Sequence, residues 1–260
     1  MILLLGGTAE TGEAAEQLAR GGERVLVSTA TDMELSLPSD PGISRRSAPL
    51  DLASMKELIR DHCVDALVDV THPYAAEVSR AAIEAARRTG VKYFRYSRPS
   101  TAVPGGNVTF ASDHTAAARK SCSQGGPVLL TVGTRNLSPY VKEARRREVE
   151  LYARILSVSE AHRACRAAGL DETHVLSGRA PFSVSENRDH IRKSNARCLV
   201  TKDGGEAGGT PEKLRAAELE DCRIIVVERP EIYAPRSFDD IDRLVDAVLR
   251  TEQNRTGCPG

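Results

Sequence analysis

The chain has 260 residues, 40% hydrophobic and 28% charged, and its 36 basic and 36 acidic side chains cancel to a formal charge of zero. This is a globular composition, too apolar for wholesale disorder, and at roughly one domain per 150 residues it allows one large domain or two small ones. Balanced charge argues against nucleic acid or a membrane surface as partner, since both select a basic surplus, and no stretch approaches the roughly 18 apolar residues of a membrane helix.

In chain order, short apolar runs alternate with Ala-rich helical patterns. Strands are expected at Ile2–Leu5, Arg24–Ser28, Ala66–Val70 and Lys92–Arg95. A second series follows at Val108–Phe110, Val128–Val132, Glu150–Arg154, His174–Leu176, Arg197–Thr201 and Arg223–Val227. Helices are expected at Glu10–Arg20, Ala53–Asp61, Tyr74–Arg88, Asp113–Ser121 and Phe238–Leu249. In the third of these, Val78, Ala82 and Ala85 share one face. Strands alternating with helices in this way specify βαβ units and parallel sheets. Two prolines and a glycine pair in Arg98–Gly106 mark a linker, so the chain divides into a lobe of residues 1–98 and a lobe of 99–250. Residues 251–260 lack periodicity and are expected to fray.

Ligands of open parallel sheets bind beyond the carboxyl ends of the strands, where helix N-termini offer backbone N–H groups. Five such turns stand out. Gly6-Gly7-Thr8 follows the first strand, with Thr8 able to cap the next helix. It departs from G-x-G-x-x-G, Glu10 stands in position to repel a pyrophosphate, and the second strand ends in Ser28-Thr29 rather than an acid; none of this supports a standard NAD site. At Thr71-His72-Pro73-Tyr74, Pro73 suits a first helical position and puts His72 at the N-cap, where the positive helix end favours the neutral ring. A third turn, Thr131–Asn136, sets Gly133, Thr134 and Arg135 before Ser138 and Pro139 as cap and first helical residue, a setting suited to a phosphate or carboxylate. The fourth holds Arg179 ahead of Ser183 and Glu186, which are spaced as a capping box. The fifth, Lys202 to Pro211, carries four glycines in six residues after a strand, with Lys202 placed to hold an anion or deliver a proton. The six cysteines are scattered without a C-x-x-C pair, so no metal site is expected and buried, reduced thiols are. The opening apolar run lacks the length and basic flank of a signal peptide, which points to the cytoplasm.

In order and spacing, L-G-G-T, T-H-P-Y with S-R-A-A, Y-F-R-Y-S-R-P, T-V-G-T-R-N, A-P-F-S and T-K-D-G-G-E-A-G-G resemble the precorrin-6A reductase family of cobalamin biosynthesis, from Ile2 to about Pro230. The resemblance implies an α/β protein of two Rossmann-like lobes with parallel sheets and the active site in the cleft between them. It implies NADPH-dependent reduction of one macrocycle double bond of precorrin-6A or cobalt-precorrin-6A, a tetrapyrrole, by a monomer or small homo-oligomer. Two positions depart from the family: Arg179-Ala180 stands for a Gln-Gly-like pair, and Gly204 for a serine.

On this reading Lys202, His72 and Tyr74 position groups or deliver the proton. Gly133, Thr134, Arg135, Arg179, Lys202, Gly204 and Gly205 hold NADPH on the C-terminal lobe. Gly7, Thr8, Thr71, His72, Arg95 and Arg98 face the tetrapyrrole on the N-terminal lobe. The competing readings are another NAD(P)-dependent oxidoreductase, disfavoured by the missing glycine fingerprint and Tyr-x-x-x-Lys pair, and a non-catalytic dinucleotide- or tetrapyrrole-binding module.

Overall fold

The structure, a computed structural model, describes residues 1–32 and 35–256. The chain forms two compact units, one of residues 1–99 together with those from 230 onward, the other of residues 100–229. The first unit begins with β1 (Ile2–Leu5), α1 (Glu10–Arg20), β2 (Val25–Thr29), β3 (Ile43–Ser47), α2 (Leu52–Asp61), β4 (Ala66–Asp69), α3 (Ala76–Thr89) and β5 (Lys92–Tyr96). The second holds β6 (Val108–Ala111), α4 (His114–Cys122), β7 (Val128–Leu130), α5 (Ser138–Arg147), β8 (Leu151–Leu156) and α6 (Ser159–Ala168). It continues with β9 (Val175–Gly178), α7 (Val184–Lys193), β10 (Cys198–Lys202), α8 (Thr210–Leu219) and β11 (Arg223–Val227). The chain then returns to the first unit as β12 (Ser237–Phe238) and α9 (Ile241–Thr256).

The first sheet has six parallel strands in the order β12-β5-β4-β1-β2-β3. Numbered within the unit, this is the 3-2-1-4-5-6 order of a doubly wound dinucleotide-binding sheet, and the order reverses between β1 and β4. Those two strands are buried at every position because helices cover both faces. Ile2 and Leu4 pack with α1 and α9, while Leu3 and Leu5 pack with α2 and α3, as strand alternation requires. The second sheet, also of six parallel strands, runs β6-β11-β10-β7-β8-β9 and reverses between β7 and β10.

These boundaries differ from the sequence expectation of 1–98, 99–250 and 251–260. Residues 230–256 belong to the first unit, because α9 buries Ile241, Leu244, Val245 and Val248 in the same core as Ile2, Val25 and Val68. The stretch expected to fray is helical through Thr256, and residues 257–260 lie outside the described residues. Two strands escaped the sequence pattern. One is β3, an edge strand reading Ile-Ser-Arg-Arg-Ser, whose polar character suits an unpaired edge. The other is β12, only two residues long. Of the five described cysteines, Cys122, Cys165, Cys198 and Cys222 are buried, whereas Cys63 is exposed just beyond α2, against the expectation of burial; Cys258 lies outside the described residues. Among the described residues no helix is long and apolar enough to cross a membrane.

Candidate functional site: the two strand-order reversals

At the first reversal, the turn after β1 is tied to the end of β4 by Thr8 Oγ1, which donates to the Val70 carbonyl at 2.8 Å. The expected helix cap at Thr8 is absent; Thr11 Oγ1 instead accepts from the backbone N–H groups of Gly7 and Thr8, both at 3.1 Å. A Cβ at Gly6 would stand 2.3 Å from Thr11 Cγ2, so glycine there makes room for this bond. Gly7 has φ +111° and nothing within 4 Å of its Cβ position, which leaves space beside it although its N–H is held by Thr11. Glu10 does not carry an unmatched charge. Burial pushes its pKa up, but Arg98 pairs with both its oxygens, at 2.6 and 2.5 Å, and the net shift is downward. The repulsion anticipated for a phosphate is thereby largely cancelled.

Below this turn lies a buried polar network. Asp69, fully buried, accepts from Arg95 Nη1 at 2.5 Å, Tyr93 Oη at 2.6 Å, and Thr71 N and Oγ1 at 2.9 and 2.6 Å. Arg95 also donates to Ser79 Oγ at 2.6 Å. Burial first, and Asp69 second, push the Tyr93 phenol well above its usual range. Arg95 and Arg98 are 3% and 8% exposed. The guanidinium groups expected to face a substrate are therefore committed to Asp69 and Glu10, and both hydrogen-bonding groups of Thr71 to Asp69.

His72 is not an N-cap. The helix begins only at Ala76, and residues 72–75 form a turn closed by Ala75 N–H donating to the His72 carbonyl at 2.8 Å. Within it, His72 Nδ1 accepts from Tyr74 N–H at 3.2 Å. An accepting Nδ1 places the ring proton on Nε2, an orientation set by this bond rather than by a helix N-terminus. The Tyr74 ring lies 5.6 Å from it.

Where a dinucleotide-binding sheet meets the adenosine ribose, beyond β2, the chain offers hydroxyls and cations. Arg46 Nη1 donates to Ser28 Oγ at 2.8 Å and to the Ala48 carbonyl at 3.0 Å. Thr29 Oγ1 lies 3.2 Å from Ser47 Oγ and 3.5 Å from Arg45 Nη2. Asp32, 91% exposed, reaches Arg45 at 3.6 Å.

At the second reversal, Thr131 fastens β7 to β10, its N–H and hydroxyl donating to the Val200 carbonyl at 2.8 and 3.0 Å. Gly133 has φ +78° with nothing within 4 Å of its Cβ position, and Thr134 and Arg135 follow before α5, whose N-cap is Leu137 rather than Ser138. Lys202 closes β10; burial first and the Arg135 charge second pull its pKa down. Beside it lies His114, at the start of α4, with Nδ1 2.8 Å from the hydroxyl of fully buried Tyr140. Burial and then Lys202 bring the His114 pKa down to about 4, so the ring is neutral near pH 7. Lys202, Arg135, His114 and Tyr140 thus gather at one strand end. Sequence reasoning missed the last two, although His114 directly follows the Asp113 cap after β6 and could have been found by extending the turn search to that strand.

Three expected members fall outside this cluster. Gly204 and Gly205 are buried with their N–H groups spent inside the loop, on Thr210 Oγ1 and Asp203 Oδ1, both at 3.0 Å. Asp203 also accepts from Ser100 Oγ at 2.5 Å and pairs with Arg229 at 3.3 Å, so the loop is anchored to the entry and exit of the unit rather than laid open to a planar ligand. Arg179 is exposed beyond β9, three strands from β10, or about 14 Å away at the usual strand spacing. Among the described residues no three His, Cys, Asp or Glu side chains gather as a metal site.

Two doubly wound sheets, each with a glycine turn at its strand-order reversal, define an α/β enzyme of the Rossmann type. The chain belongs to the precorrin-6x reductase family CbiJ/CobK, whose model matches residues 1–249. It is 33% identical to the cobalt-precorrin-6A reductase of Methanocaldococcus jannaschii, over 95% of this chain and 97% of that protein. It is 30% identical to the precorrin-6A reductase of Rhodococcus erythropolis, over 95% of each. A solved CobK precorrin-6A reductase shares the fold, with a TM-score of 0.76 over 96% of each chain at 22% identity.

Proposed function

We propose that this reductase of corrin biosynthesis acts on one macrocycle double bond of precorrin-6A or cobalt-precorrin-6A, with NADPH as hydride source, in the cytoplasm. Family membership across nearly the whole chain carries this reading. Reducing a carbon–carbon double bond requires a hydride on one carbon and a proton on its neighbour; bound nicotinamide supplies the hydride. Lys202 is suited to hold the proton at Nζ, because burial and Arg135 loosen it. His72 and Tyr74, at the other reversal, are positioning groups.

The first unit's residues fit a dinucleotide. The strand order, the uncrowded position at Gly7 and the Glu10–Arg98 pair support a pyrophosphate at the turn after β1. Ser28 with Arg46, in place of an acid at the end of β2, supports NADPH over NADH. This allocation reverses the one favoured by sequence, which put the cofactor on the second unit through Gly133, Thr134, Arg135, Arg179, Lys202, Gly204 and Gly205. With Gly204 and Gly205 closed and Arg179 distant, Gly133, Thr134, Arg135 and Lys202 remain to meet the tetrapyrrole and its carboxylate arms. Anaerobic NADPH oxidation, with metal-free and cobalt-bearing substrate in parallel, is expected to proceed with at least one of them. Binding of NADPH without consumption in either case would reject the reaction and leave a binding module.

A further inference from the structure

Arg154 on β8 and Lys213 on α8 play no part in the clusters above. Strand alternation puts Arg154 with Tyr152 on the sheet face covered by α7 and α8, opposite to the face of Val200 and Lys202. Each is 8% exposed. Arg154 Nη1 donates to Asn187 Oδ1, and its guanidinium lies 4.0 Å from the centre of the Phe182 ring. Lys213 Nζ donates to the Gly208 carbonyl at 2.7 Å. These partners are all neutral, and among the described residues neither cation has a carboxylate within 4.0 Å.

The acids that favour their charged forms, Glu186 for Arg154 and Glu212 and Asp203 for Lys213, act from beyond ion-pair distance. Glu186 is engaged in the capping box with Ser183, and Glu212 keeps a buried Oε2 with no hydrogen-bond partner. The His190 ring lies 5.6 Å from Phe182, with its buried Nδ1 also unpartnered. Burying two like charges among neutral groups is costly and persists where a ligand supplies the opposite charge. Both belong to one face of the sheet, since α8 packs in the same cluster as Tyr152, which shares Arg154's side of β8. Burial, then the Arg154 charge, brings the Lys213 pKa down to about 8.

We propose that Arg154 and Lys213 form a subsite for an anionic oxygen group of the ligand. On the allocation above, on which this assignment rests, that group is a carboxylate arm of the tetrapyrrole; a dinucleotide phosphate offers the same chemistry. The planar fork of Arg154 suits two oxygens, and Lys213 adds a point charge beside the glycine loop that its bond to Gly208 already steadies.

The test is equilibrium binding to wild type, Arg154→Gln, Lys213→Met and Lys213→Arg, with NADP⁺ and cobalt-precorrin-6A titrated separately without turnover and melting recorded for each protein. Loss of a charge-assisted hydrogen bond predicts tetrapyrrole affinity at least about tenfold weaker in Arg154→Gln and Lys213→Met. Lys213→Arg should stay near wild type, and NADP⁺ affinity should not move in any of them. Weakening of NADP⁺ instead of tetrapyrrole upholds the subsite, names phosphate as its anion and rejects the allocation between units. Wild-type affinity for both ligands in both neutral variants overturns the proposal. So does lowered melting shared by Lys213→Met and Lys213→Arg without charge-dependent loss of binding, since that marks a mere brace of the loops.

Discussion

The two reversal points share a topology and differ in their electrostatics. At the first, each buried charge is answered inside the protein: Asp69 by Arg95, Glu10 by Arg98. At the second, Lys202 lies beside Arg135, while on the other face of the same sheet Arg154 and Lys213 rest on neutral hydrogen-bond partners. On the proposed allocation, the self-neutralised turn meets the dinucleotide in the space beside Gly7. On the same allocation, the turn that sets Arg135 beside Lys202 meets the carboxylate arms and holds the proton. The same doubly wound scaffold then offers, on the proposed allocation, two kinds of site, one built around the Asp69–Arg95 and Glu10–Arg98 pairs and one around the neighbouring charges of Lys202 and Arg135.

The sharpest way to break this comparison is to unpair the first unit. Asp69→Ala leaves Arg95 buried without its anion and is expected to cost about 3–5 kcal/mol in chemical denaturation; a loss under about 1 kcal/mol would mean the pair is not what neutralises the site. In the second unit, Lys213 should behave in the opposite sense. Its folded pKa is about 8 against an ordinary 10.5, so between those values the unfolded chain holds more protons and stability rises with pH. Below pH 8 the buried ammonium exacts its full cost, up to roughly 3 kcal/mol. Lys213→Met should therefore melt above wild type near pH 7.5, with the gap closing towards pH 10; a gap independent of pH contradicts the assignment. Next in size, Lys202→Ala should cut turnover at least about tenfold while leaving the NADPH KM unchanged, and near-normal turnover removes Lys202 from proton delivery. Arg46→Ala should narrow the preference for NADPH over NADH by about tenfold, as for a lost charge-assisted bond to phosphate; an unchanged ratio returns the cofactor to the second unit. The smallest effect is Thr8→Val, about 1 kcal/mol of stability for one hydrogen bond to Val70.

Much of the fold was legible because central parallel strands are continuous apolar runs, as in β1, β4, β10 and β11. The edges were not: β3 has a single apolar residue ahead of Ser-Arg-Arg-Ser, and β12 is too short to show a period. The turns at Gly7, His72, Gly133 and Lys202 announced themselves through glycine, proline and strand-end position. What no pattern revealed was the partner of each charge. Arg95 and Arg135 are indistinguishable as letters near a strand end, yet Asp69, itself an unremarked strand terminus, claims one and leaves the other beside Lys202. Lys213 was hidden in an ordinary helical repeat. Arg154 read as the polar close of a strand, because its burial depends on α7 and α8 arriving from 30 and more residues downstream.

The late return of β12 and α9 to the first sheet has a consequence for the order of events during synthesis. Residues 100–229 are contiguous, so the second unit has all its strands while the chain is still being made. The first unit begins earlier but waits longer, with β5 lacking its neighbour and the face of Ile2, Leu4 and Val68 lacking α9 until residues 237–256 have been made. Domains fold as units while they emerge, and here the half that starts first is the one that finishes last. An early stop near residue 230 would leave a complete second unit tethered to a sticky, unfinished first.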